Sequence, residues 1–174
     1  QIWVNLPAKN KMMAPRYQEI SAQESPTIEK NGVWARVIAG ECMGVSSSID
    51  TVIPITLIHV KMEEGTQLIQ QLDSGLNSMI YVFSGNVTIP RETSVRTHPQ
   101  IFGLGVKQSI NDGELGLFSE GEKIVINSNM SSEFLILAGP ELNEPIARYG
   151  PFVMNTREEI QQAFFDYQNG TLGN

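Results

Sequence analysis

Ser78-Met-Ile-Tyr-Val-Phe-Ser-Gly-Asn-Val-Thr-Ile89 is the stretch whose reading decides the fold. Two apolar runs, Met79 to Phe83 and Val87 to Ile89, are broken at Gly85, where the chain can turn without a Cβ in the way. Runs this short and this rich in β-branched residues read as strands rather than helices. The same texture extends in both directions, through Val33 to Ala39, Ile55 to Met62, Leu115 to Phe118, Ile124 to Ile126 and Phe134 to Ala138. Glycines 65, 113, 121 and 139 fall where such strands would turn. Many short strands with regular turn signals predict an all-β sandwich or barrel, here a jelly roll. The stretch Pro90 to Asn111 is irregular and reads as a long surface loop.

The two ends of the chain read differently. In Arg148-Tyr-Gly-Pro-Phe-Val-Met-Asn-Thr-Arg-Glu-Glu-Ile-Gln-Gln-Ala163 a strand-like run passes into a helix. Thr156 and Glu159 have capping-box spacing, so the helix is expected to start at Arg157. Ile160, Ala163, Phe164 and Tyr167 recur at helical spacing, and Gly170 can close the C-terminus in a left-handed conformation. The opening Gln1-Ile-Trp-Val-Asn-Leu6 reads like the middle of a strand and suggests that upstream sequence has been removed. Pro7 to Pro26 then reads as an extended linker. The expected organisation is strand and linker over 1–30, a β domain over 31–147, and strand and helix over 148–174.

Composition narrows the function classes. The 174 residues suffice for one sizeable core. A net charge of −7 excludes a nonspecific nucleic-acid binder, which needs clustered Lys and Arg to displace counterions from phosphates. Cys42, the single cysteine, can build neither an intramolecular disulfide nor a zinc cage, which favours a reducing compartment. No apolar run is long enough to span a membrane and no signal-peptide pattern is present, so the expectation is a soluble, cytoplasmic protein. Sequons at Asn86, Asn129 and Asn169 carry little weight, since that tripeptide is common by chance.

Side chains that could carry chemistry are few. His59 and His98 lack the i, i+2 partner that points two ligands into one barrel cavity. Gly103-Leu-Gly105 lacks the context of a dinucleotide loop, and no Gly-x-Ser-x-Gly elbow occurs. Glu158 and Glu159 suit a helix N-terminus, and Lys9, Lys11 and Arg16 a solvated linker.

The spacing from Gly65 to Gly85 nevertheless resembles the first motif of the cupin superfamily, a glycine, a His-x-His, a Glu and a closing glycine. Laid on this chain, the ligand positions fall on Gln71, Asp73 and Ser78, and a second motif extended from Gly121 ends near Ser132, beside Glu133. One carboxylate among four positions is a poor donor set for a transition metal. The frame reads as kept and the metal as lost. A different reading gathers Asp73, Glu133 and His59 around one cavity as an autonomous binding cupin or enzyme. It requires these three to converge.

Further motifs resemble the pirin family, and specifically its C-terminal half: Gln1-Ile-Trp-Val-Asn-Leu-Pro-Ala-Lys9, Pro15-Arg-Tyr-Gln18, Val37-Ile-Ala-Gly40, Leu142-Asn-Glu-Pro145 and the Gly150-Pro-Phe-Val-Met-Asn-Thr156 tail. The resemblance implies a bicupin with a double-stranded β-helix in each half and a C-terminal α-helix. It implies iron in the N-terminal cupin, held by three histidines and a glutamate, and no metal in the C-terminal one. It also implies quercetin 2,3-dioxygenase activity or, in animals, a nuclear cofactor role with transcription factors. Those iron ligands precede the Trp-Val-Asn-Leu-Pro motif, so no residue here inherits their role. The expected partners are the N-terminal cupin and possible protein partners such as transcription factors, with no nucleic acid and no membrane. A pure protein-interaction module is the third reading.

Overall fold

The computed structural model describes residues 2–90, 95–96, 109–118 and 121–173. Most of the expected surface loop, His98 and Gly103-Leu-Gly105 lie outside the described residues. The chain forms two compact units, residues 20–141 and residues 1–19 together with 142–174. The tail therefore shares a unit with the opening segment, a division that differs from one drawn at 30 and 147. The Ala8 N–H donates to Glu144 Oε2 at 2.7 Å, one reason these distant stretches belong together.

The 20–141 unit is built of β1 (Thr27–Lys30), β2 (Val33–Ala39), β3 (Glu41–Cys42), β4 (Val45–Ser46), β5 (Thr56–Met62), β6 (Gln67–Gln71), β7 (Leu76–Ser84), β8 (Asn86–Thr88), β9 (Val95–Arg96), β10 (Ser109–Asn111), β11 (Leu115–Phe118), β12 (Lys123–Ser128) and β13 (Ser132–Pro140). One sheet runs in the order β1-β2-β5-β13-β7-β11-β9 and a second in the order β10-β8-β12-β6, with β3-β4 a small hairpin apart. Apart from the consecutive pair β1-β2, neighbours within both sheets are non-consecutive and all are antiparallel, the jelly-roll expectation realised.

The core lies between the two sheets because period-two alternation is strict. Along β2, β5 and β13 every second residue is buried, and the intervening ones face away. Ile58, Val60, Ile80, Val82, Phe134 and Ile136 of the larger sheet form one cluster with Leu68, Val87, Ile124 and Ile126 of the smaller. Burying each such side chain is worth about 1.5–3 kcal/mol, so this interior is the main stabilising term of the unit. Hydrophobic reading overlooks β1, β3 and β4, takes the stretch that holds β9 and β10 for a loop, and also overlooks the strand beside the cupin frame positions, β6. Its inward positions are Leu68 and the polar Gln70, while Ile69 is left 48% exposed, so its burial alternates but its hydropathy does not.

The other unit pairs β14 (Ala147–Tyr149) with β15 (Phe152–Met154) and follows them with α1 (Arg157–Asn169). The expected single strand is a hairpin, turned at Gly150 with φ +56°. Helix α1 starts at Arg157 as expected: Thr156 Oγ1 accepts from the Glu159 N–H at 3.2 Å, and the Glu159 carboxylate accepts from the Thr156 N–H at 2.9 Å. Gly170 closes it at φ +69°. Ile160 and Ala163 are buried against Phe152, whose ring meets Phe164 edge-on at 4.8 Å between centroids. The opening segment departs from expectation. Residues 2–6 pair with no strand among the described residues, and a 3-10 turn follows at Ala8–Asn10. Lys11 Nζ instead donates to Leu6 O at 2.8 Å, so polar contacts rather than a ladder hold that stretch.

Candidate functional site

The four positions that the cupin frame assigns to metal ligands do not surround one point. Alternation along β6 turns Leu68 and Gln70 inward and Gln67, Ile69 and Gln71 outward. Gln71 is exposed because it sits on the outward side of that alternation, and Asp73 is exposed in the turn beyond the strand. Ser78 and Ser132 are buried, yet in register along β13 they stand opposite Ala138 and at the Ser132 end respectively. Six residues of strand separate those places, about 20 Å.

The Ser132 hydroxyl is also already engaged. It accepts from the Asn86 N–H at 3.0 Å and lies 2.7 Å from Met130 O. Iron does not fit these residues: two neutral hydroxyls and an amide offer little against the loss of its water shell, and the lone carboxylate points elsewhere. Among the described residues no three of His, Cys, Asp or Glu are gathered closely enough to hold a metal ion.

Two members of the alternative trio do meet, on the outward face of the larger sheet. His59 Nε2 donates to Glu133 Oε1 at 2.6 Å, and Lys61 Nζ reaches the same oxygen at 3.2 Å. The imidazole is flanked by Trp34, edge-on at 5.3 Å, and by Phe83 at 5.7 Å. Partial burial pushes the Glu133 carboxyl upward, but the hydrogen bonds and charges of His59 and Lys61 outweigh it and hold the group below its usual range. Asp73 does not join them. It precedes Leu76, which pairs with Pro140, while Glu133 lies opposite Ser84. Leu76 and Ser84 are eight positions apart along β7, roughly 26 Å, so the convergence that this reading required is not formed.

What does form is a cleft of about 590 Å³ beside β6 and the β3–β4 hairpin, with Asp73, Gln71 and the inward-facing Gln70 among its walls. Gln70 is 4% exposed. Its amide donates to Glu41 O at 2.8 Å and Gln71 O at 2.7 Å, and its carbonyl Oε1 has no partner. Hydropathy passes over such a residue; the only sign in the sequence is a polar side chain two positions from Leu68, at the spacing of one strand face. Cys42 packs in the core, where burial first, and the adjacent Glu41 second, push its thiol up to about 11.

The comparisons fall on the same fold. Residues 57–173 match the pirin C-terminal cupin domain. Pirin of Mus musculus and pirin of Homo sapiens are each 35% identical over 175 residues, covering 99% of this chain and 56% of the relative. A pirin-like protein of Solanum lycopersicum is 35% identical with the same coverage. Among solved structures, a quercetin 2,3-dioxygenase from Acinetobacter baumannii superposes with a TM-score of 0.80 at 31% identity, again covering 99% of this chain and 56% of that one. The chain thus spans little more than half the length of the relatives it matches. No helix among the described residues is long and apolar enough to cross a membrane. Motif, fold and whole-chain identity agree, and the chain belongs to the pirin family, over the part that corresponds to its C-terminal cupin domain.

Proposed function

We propose that this chain is the metal-free C-terminal cupin of a bicupin and serves as the structural and interaction half of an iron-dependent dioxygenase of the quercetinase type. The observation that carries the reading is the interior of the barrel. Val60, Ile80, Val82, Phe134 and Ile136 occupy it, none more than 2% exposed, and the frame positions for a metal carry Gln71, Asp73, Ser78 and Ser132. A barrel filled with side chains has no room for a coordinated ion and its substrate. The likeness at 31% identity to a quercetin 2,3-dioxygenase supports the class of the whole enzyme. In this reading iron and its ligands belong to a second cupin, which is also the first partner of this chain.

The test is metal content and oxygen uptake. After dialysis against chelator, the purified chain is expected to hold far less than one iron per molecule by mass spectrometry and to consume no oxygen with quercetin. A polypeptide that also carries the iron-binding cupin is expected to do both. Stoichiometric iron retained by this chain alone, or quercetin turnover by it, overturns the reading.

A further inference from the structure

The cleft of about 590 Å³ in the 20–141 unit lies within the volume range of small-molecule sites, roughly 300–1,000 Å³. Three carboxylates line it, Glu41, Asp50 and Asp73, and among the described residues no Lys, Arg or His does. Acidic side chains on a rim are common and mean little alone. Gln70 adds a second and independent observation. Both protons of its amide are spent on Glu41 O at 2.8 Å and Gln71 O at 2.7 Å, which sets the amide orientation. Its Oε1 is thereby left buried in the wall of the cleft as an acceptor without a donor. A buried acceptor in that state is destabilising until something donates to it.

We propose that the cleft binds a small aliphatic ammonium ion of the amine or diamine class, one N–H donated to Gln70 Oε1 and its charge held by Glu41 and Asp73. The chemistry selects this class on three grounds. An orphaned carbonyl asks for a donor, and a wall with acidic but no basic side chains asks for a cation. Among the described residues, moreover, the carboxylates are not gathered into a metal cage. An extended organic cation answers all three, and the net charge of −7 favours its approach. Because Oε1 is covered, the ligand must part the side chains above it. Met43, which also lines the cleft, is unbranched and adapts easily.

Titration calorimetry on the purified chain tests this with 1,4-diaminobutane as probe, 1,4-butanediol as its neutral counterpart, and calcium chloride alone. The diamine is expected to bind saturably at one per chain, at least tenfold more tightly than the diol, and more weakly as salt is raised. Asp73→Asn, a change at an exposed side chain, is expected to weaken binding two- to fivefold, as for a surface charge. Gln70→Leu is expected to weaken it about tenfold, the loss of one charge-assisted hydrogen bond. Should that variant not fold, Asp73→Asn and Glu41→Gln decide the matter. The proposal is overturned by equal binding of the diol, by saturable calcium binding without diamine binding, by absence of saturation with the diamine, or by rim variants that leave the affinity unchanged.

Discussion

Gly85 lies against Ser132 so closely that a Cβ on residue 85 would stand 2.8 Å from the Ser132 Cα and 2.5 Å from the Ser131 carbonyl oxygen. The backbone there has φ +85°, a region that side-chain-bearing residues enter at a cost. Strain and backbone overlap act together at this one position, since neither partner atom belongs to a flexible side chain. Gly85→Ala is therefore expected to lower the unfolding free energy by about 3 kcal/mol or more, measured by urea denaturation. Ser132→Ala removes the acceptor of the Asn86 N–H and is expected to cost less, about 1–3 kcal/mol. A Gly85→Ala variant as stable as the parent contradicts the contact.

The interior predicts a larger loss. Phe134 is fully buried between the sheets, so Phe134→Ala removes transfer energy and leaves a cavity that its strand neighbours cannot close. The expected cost is about 3–5 kcal/mol. By contrast Phe83→Ala, at a side chain 38% exposed on the outward face, is expected to cost clearly less in the same assay.

Glu133 links stability to pH. Its folded pKa lies below the ordinary value because His59 and Lys61 hydrogen-bond to it against the opposing effect of partial burial. A depressed carboxylate contributes stability above its unfolded pKa, about 4.3, and that contribution disappears as pH falls through the folded value. The stability difference between the parent and Glu133→Gln should therefore be present at pH 6 and shrink steadily below about pH 4.3. Both side chains are partly exposed, which limits the difference to about 1 kcal/mol. A gap that widens on acidification would refute the arrangement.

Cys42 has the opposite sign. Its thiol is 1% exposed and pushed up to about 11 by burial, so the folded protein keeps it neutral. The resulting stabilisation is complete below the unfolded thiol value, about 8.5, and declines as pH rises from there toward the folded one. Alkylation by iodoacetamide at pH 8 is expected to be at least a hundredfold slower in the native protein than in denaturant. Equal rates would mean that the thiol is open to solvent.

The helix cap is a local prediction. Thr156→Ala is expected to cost about 1 kcal/mol and to speed amide exchange in the first turn of α1, where the Glu159 N–H loses its acceptor. Unchanged exchange at Glu159 would count against the capping box.

Much of the fold is legible in single stretches of sequence. Val33 to Ala39 and Leu115 to Phe118 bound their strands to the residue, because a short apolar run, β-branched in the first and closed off by the Asp112-Gly113 turn in the second, is set within a few neighbours. The Arg157 start of α1 follows from Thr156 and Glu159, three residues apart, for the same reason. The frame from Gly65 to Gly85 is less local. Counting residues places Gln71 and Asp73 at its ligand positions, but only pairing with β12 sets which face of β6 points inward, and there Gln70 takes the buried place.

The amino-acid sequence by itself determined the class of fold, the capped helix and the family, since each is written in neighbouring residues or in ordered motifs. Tertiary structure alone decided that His59 meets Glu133 from 74 positions away, that Asp73 stays apart from both, and that Gln70 carries an unpaired acceptor in a cleft. Those facts depend on strand register and on which orphaned groups find partners, and neither is set until distant strands are laid side by side.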